Sequence, residues 1–91
     1  FKIIKESMKK LYEEGELVHG DLSEYNILVK DDEPVFIDFS QSVITQHPFA
    51  QPLLIRDCIN ICNFFRRKKV DCNYKDLYRY ITGEDINPVD E

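Results

Sequence analysis

The 91 residues predict an α+β fold, mainly helical with one central β-hairpin. Two observations carry that prediction. Apolar residues recur at helical spacing toward both ends of the chain. Between them "ILVK", "DDEP" and "VFIDF" read as strand, turn and strand, with Asp31, Asp32 and Pro34 supplying the turn chemistry.

The elements follow in order. "FKIIKESMKKLYEEG" puts Phe1, Ile4, Met8, Leu11 and Tyr12 on one helical face, charges on the other, and Gly15 where a helix stops. "LVH" reads as a short strand that breaks into a polar insert from Gly20 to Asn26, and the hairpin follows. Ser40 to Pro48 reads as loop. A long helix is expected from near Phe49 or Pro52, with Leu54, Cys58, Ile61, Cys62 and Phe65 on its apolar face and "RRKK" at its end. "YKDLYRYITG" makes a shorter amphipathic helix through Tyr74, Leu77, Tyr78 and Ile81, stopped by Gly83. The tail "EDINPVDE" is polar and expected to fray.

Composition narrows the class. The length allows one domain or a piece of one, and the chain begins at Phe1 already inside a helical pattern, as a fragment would. Twelve basic and 17 acidic side chains give a net charge of −5, which disfavours non-specific nucleic-acid binding by the chain as a whole. Three cysteines cannot form a complete disulfide framework, and no Cys-x-x-Cys is present to suggest zinc with His19 or His47. Cys58, Cys62 and Cys72 are therefore expected as buried reduced thiols, which points to a reducing, cytoplasmic setting. No apolar run approaches membrane-spanning length and no signal peptide is evident, so no membrane partner is expected.

The chemistry-bearing residues gather at the hairpin's open end. With the turn at residues 31–34, Asn26 precedes the first strand and Asp38 closes the second, while Asp21 lies in the loop feeding that end. A carboxylate at the end of an apolar strand is costly unless a hydrogen-bond partner or a metal takes its charge. Two carboxylates and an amide oxygen suit a hard cation such as Mg²⁺, which completes its shell with water and substrate phosphates. Asn26 and Asp38 are the candidate metal ligands, and Asp21 the group that orients an attacking hydroxyl or water. Singly, Asp and Asn are common turn and cap residues; the combination of His-Gly-Asp, Asn five residues on, a hairpin, and Ile-Asp-Phe is what signals phosphoryl transfer.

At these residues the sequence resembles the protein-kinase-like superfamily, and within it the RIO family of atypical serine/threonine kinases. "HGDLSEYN" is similar to the kinase catalytic loop and "IDFSQSV" to the metal-binding loop; "DLSEYN", "SQSV", "HPFA" and "RDCINICNFF" carry the RIO character over residues 17 to about 67. The resemblance implies ATP and Mg²⁺ as cofactors, Asp21 as the catalytic-loop aspartate, Asn26 and Asp38 as metal and nucleotide ligands, and Ser23 at the cofactor side. It also implies that Asp38 accepts a transient phosphoryl group in an ATPase-like switch. Asp57 resembles the buried helix aspartate that accepts catalytic-loop amides, its alternative being a salt bridge to nearby basic side chains. His19 is read as holding the loop rather than moving protons.

Departures from ordinary kinases point the same way. Ser23 stands where serine/threonine kinases carry lysine, Ser40 where a glycine follows Asp-Phe, and there is no room for a peptide-docking activation segment. No Gly-rich phosphate-covering loop or paired strand lysine is found. Residues 1–91 thus resemble a C-terminal lobe without its N-terminal ATP-binding lobe, a fragment expected to be inactive alone. Through the resemblance, small ribosomal subunit maturation is the implied setting, with pre-ribosomal RNA a candidate partner of Arg66, Arg67, Lys68 and Lys69. The alternative for those four is a solvated turn that complements the helix dipole. Two other readings stand: a small-molecule kinase of the aminoglycoside or choline phosphotransferase type, and a non-catalytic kinase-like binding scaffold. A serine hydrolase is excluded, because Ser40 and Ser42 sit in no G-x-S-x-G elbow.

Overall fold

A computed structural model describes residues 1–86. It is an α+β arrangement, with the three long elements helical as the periodicity predicts. Helix α1 spans Lys2–Glu13, α2 spans Ala50–Arg67 and α3 spans Tyr74–Thr82. Strands β1 (Leu17–Val18), β2 (Ile27–Lys30), β3 (Glu33–Phe36) and β4 (Val43–Ile44) form two separate antiparallel pairs, β1 with β4 and β2 with β3.

The helix faces build the core. Met8 of α1, Leu54, Cys58, Ile61 and Cys62 of α2, and Leu77, Tyr78 and Ile81 of α3 are buried together, with Phe1, Ile4, Tyr12 and Phe65 packed beside them. Helix α3 lies against both α1 and α2. Its C-terminal end matches the sequence signal, Gly83 closing the helix at φ 77°, and at its N-terminal end the Asn73 side chain accepts the Lys75 N–H at 2.8 Å. Pro52 falls in the first turn of α2, where its missing N–H costs nothing. Helix α2 stops without a glycine: Lys69 takes the left-handed conformation at φ 63°, and the Val70 N–H returns to the Phe65 carbonyl at 2.9 Å.

Four expectations are corrected. The stretch from Ser40 to Pro48 is not simply loop: Phe39–Gln41 forms a 3₁₀ turn, and β4 pairs Val43 with Val18 and Ile44 with Leu17. The β2–β3 turn is two residues rather than four. Asp31 and Asp32 both sit at positive φ (53° and 64°), the twist a tight hairpin needs, and Pro34 lies inside β3 opposite Val29. Of the tail, Ile86 is buried at 8% exposure; residues 87–91 lie outside the described residues.

The fourth correction concerns the thiols. Cys62 and Cys72 form a disulfide across ten residues, their Cα atoms 5.1 Å apart, and only Cys58 is a free buried thiol. The loop after α2 doubles back onto the helix, which spacing alone does not reveal. The argument from reduced thiols to a reducing compartment therefore falls away. No described helix is long and apolar enough to cross a membrane.

Candidate active site

Strand β1 delivers His19, Gly20 and Leu22 into the interior and leaves Asp21 half-buried between them. His19 is 2% exposed, its Nε2 2.7 Å from the Ile37 carbonyl, while its Nδ1 accepts the Asp21 N–H at 3.2 Å. A carbonyl can only accept, so Nε2 carries the proton and the ring is neutral. The imidazole thus ties the Asp21 segment to the residue preceding Asp38, as the holding role predicts.

Gly20 makes the approach of the two loops possible. Its φ is 87°, and a Cβ there would lie 2.3 Å from the Gln41 carbonyl oxygen, inside the 3₁₀ turn that follows Asp38.

Asp57 fixes the loop from below. It is 1% exposed and accepts two backbone amides, Gly20 N–H on Oδ2 at 2.8 Å and Leu22 N–H on Oδ1 at 2.9 Å. Burial pushes its carboxyl above the usual carboxylate range, while the Leu22 and Gly20 amides, and then the Arg56 charge, pull it back. The amide-accepting role fits this geometry better than a salt bridge.

Asn26 and Asp38 flank the open end of the hairpin. The Asn26 side-chain nitrogen donates to the Asp21 carbonyl at 2.7 Å, which leaves Oδ1 as its ligand atom. The Asn26 backbone carbonyl accepts the Ile37 N–H at 2.9 Å, one pairing beyond Ile27 with Phe36. Asp38 is exposed, in the left-handed conformation at φ 60° and ψ 68°. One of its oxygens accepts the Ser40 hydroxyl at 2.9 Å. Non-glycine residues in this region cost of order 1–3 kcal/mol and cluster at functional sites.

The structure thus brings Asp21, Asn26 and Asp38 onto one hydrogen-bonded framework. Ser23 is set apart: its hydroxyl accepts the Tyr25 N–H at 3.3 Å, capping the 3₁₀ turn Glu24–Asn26. It opens onto a separate cleft of about 560 Å³ with Glu24, Tyr25, Asn60, Asn63 and Arg67. A cleft of about 640 Å³ between the helices, lined in part by Phe1, Lys5, Cys72 and Tyr80, contains none of the site residues. Among the described residues no three His, Cys, Asp or Glu side chains form a metal cage. One carboxylate and one amide oxygen, with phosphate oxygens to complete the shell, is a donor set that fits Mg²⁺.

Sequence reasoning missed the contacts that α2 makes with the loop besides Asp57. Arg56 Nη2 lies 3.9 Å from Asp21 Oδ1, Asn60 Nδ2 donates to the Leu22 carbonyl at 3.2 Å, and Arg67 pairs with Glu24. The available signal was the spacing of positions 56, 57, 60 and 67, which puts these polar residues along one side of the helix.

Residues 1–77 match the family model described as the RIO domain. The chain is 91% identical over 91 residues to the RIO-type serine/threonine-protein kinase Rio1 of Methanocaldococcus jannaschii, covering all of this chain and 31% of that protein. It is 46% identical over 85 residues to the protein of the same name from Haloferax volcanii, covering 93% of this chain and 29% of that one. The chain therefore spans about a third of the length of these relatives. Among solved structures, the Rio2 kinase–ADP/Mg²⁺–phosphoaspartate complex from Chaetomium thermophilum superposes with a TM-score of 0.66 at 27% identity, over 98% of this chain and 31% of that one.

Proposed function

This chain belongs to the RIO domain family, and from that premise we propose that it supplies the catalytic and metal-binding loops of an ATP-dependent phosphoryl-transfer enzyme of the RIO type. The observation that carries the reading is the framework joining the loops: His19 to Ile37, Asn26 to Ile37 and Asn26 to Asp21. In this reading residues 1–91 act as a C-terminal lobe, and the nucleotide lies between the hairpin and an N-terminal lobe. The outward-facing Leu28, Val29 and Val35, at 53%, 77% and 39% exposure, support a hairpin that another surface covers.

Asn26 Oδ1 and an Asp38 oxygen would hold Mg²⁺, which when bound neutralises charge on the phosphate oxygens. Asp21 orients the acceptor. Asp38 is the proposed acceptor itself: its carboxylate oxygen bonds to the γ-phosphorus, the bond from that phosphorus to the bridging oxygen breaks, and ADP leaves. Water then hydrolyses the acyl phosphate and restores the carboxylate. The phosphoaspartate named for the Rio2 relative supports this choice. A setting in small-subunit maturation rests on the family resemblance. For the basic turn, Arg67 paired with Glu24 and Lys68 5.7 Å from the Phe64 ring centroid favour a local role over RNA contact.

The test is to incubate the full-length protein with γ-labelled ATP and Mg²⁺ and treat it with hydroxylamine. Label that is released, and that never forms in Asp38→Asn, is expected. Hydroxylamine-stable label on serine or threonine would redirect the reading to protein phosphorylation. Label found only on an added small molecule would favour the small-molecule kinase alternative.

A further inference from the structure

Helix α2 meets the catalytic loop along one stripe. Arg56 stands beside Asp21, Asp57 accepts the Gly20 and Leu22 amides, Asn60 donates to the Leu22 carbonyl, and Arg67 pairs with Glu24. Asn60 lies three residues after Asp57 and seven before Arg67, so these side chains share a face. Leu22 is the residue they enclose. Its side chain is 1% exposed, its N–H is held by Asp57 at 2.9 Å, and its C=O by Asn60 at 3.2 Å.

Those two bonds act on different peptide planes. The Leu22 N–H belongs to the plane shared with Asp21, and the Leu22 C=O to the plane shared with Ser23. Fixing both removes the rotations by which Asp21 could swing relative to the segment running on to Asn26. Asn60 is the side chain that bonds the second plane; the neighbouring Arg67–Glu24 ion pair, whose arginine is 63% exposed, contributes little rigidity in water. Asparagine is also a poor residue for a helix interior, so its place in the third turn of α2 calls for a bond of this kind.

Resting on the phosphoryl-transfer reading above, we propose that Asn60 is a positioning residue for the reaction, gripping the Leu22 carbonyl so that Asp21 is held in its working orientation. Asp38 is anchored separately, through Ser40, and the Asn26 backbone through Ile37; the Asn26 side chain bonds the Asp21 carbonyl, which lies on the peptide plane that Asp57 still holds, so metal and nucleotide binding do not depend on Asn60.

Steady-state ATP turnover of the full-length protein with Mg²⁺ tests this in Asn60→Leu, with Asn60→Ser as the second variant should the first not fold. The expected result is a kcat lower by about 10-fold or more, because small misplacements of an orienting group are costly. The KM for ATP stays within about twofold and the melting temperature within a few degrees. An unchanged kcat, or a fall in kcat matched by the unfolded fraction, overturns the positioning role and leaves the phosphoryl-transfer reading standing. A wild-type protein with no ATP turnover overturns that reading, and the role with it.

Discussion

At Gly20 and Asp57 the active-site loop depends on single atoms. Gly20→Ala would need a positive φ and place its methyl against the Gln41 carbonyl, 2.3 Å away, so the two loops would have to separate. A loss of at least about 2 kcal/mol is expected in denaturant melts, along with loss of turnover. Asp57→Asn replaces one accepting oxygen by a donor that faces a backbone N–H, at an expected cost of about 1–3 kcal/mol. The pH dependence has a definite sign. Because burial raises the Asp57 carboxyl in the folded state, the folded protein binds that proton more readily than the unfolded chain. Its contribution therefore grows as pH falls through the folded-state value and is complete below 3.8. Wild type should gain stability relative to Asp57→Asn as pH is lowered from about 7 toward about 4, in midpoints measured across that range. Parallel curves would contradict the assignment.

For the elements, legibility followed the range of the interactions that define them. The helices were readable because their signals are local: the apolar face through Leu54, Cys58, Ile61 and Cys62, and the Gly83 stop. Strand β4 was not, since two residues become a strand only by finding Leu17 and Val18, far off in sequence. The end of α2 fell at "RRKK" as read from the sequence, with Lys69 rather than a glycine taking the left-handed turn. The Cys62–Cys72 bridge was missed because it depends on the loop turning back toward α2. Alkylation of the unfolded, unreduced protein should label one cysteine, Cys58, and three after reduction; three without reductant would contradict the bridge. Burial raises the Cys58 thiol far above its usual range, so in the native state it should not react. Closing a loop of ten residues is worth about 2–3 kcal/mol in the chain-entropy account, and reduction should lower the unfolding free energy by about that much.

In the whole molecule, a small helical core carries an open hairpin, and α2 joins the two by holding the catalytic loop against the interior. That Asp21, Asn26 and Asp38 gather at the open end of the hairpin was legible, because that placement follows from the hairpin itself. The residue proposed to aim Asp21, Asn60, was not, since its partner is a backbone carbonyl far off in sequence. The central claim is that Asn26 and Asp38 hold a nucleotide-bound cation while Asp21 orients the acceptor. Calorimetric titration of ADP into the full-length protein, with and without Mg²⁺, tests it most directly. The account predicts that Mg²⁺ tightens ADP binding by about 10-fold or more, a modest share of what a charge-neutralising metal can supply. It also predicts that Asp38→Asn and Asn26→Ala remove that gain while metal-free affinity stays the same. A Mg²⁺ effect of full size in Asp38→Asn would contradict it.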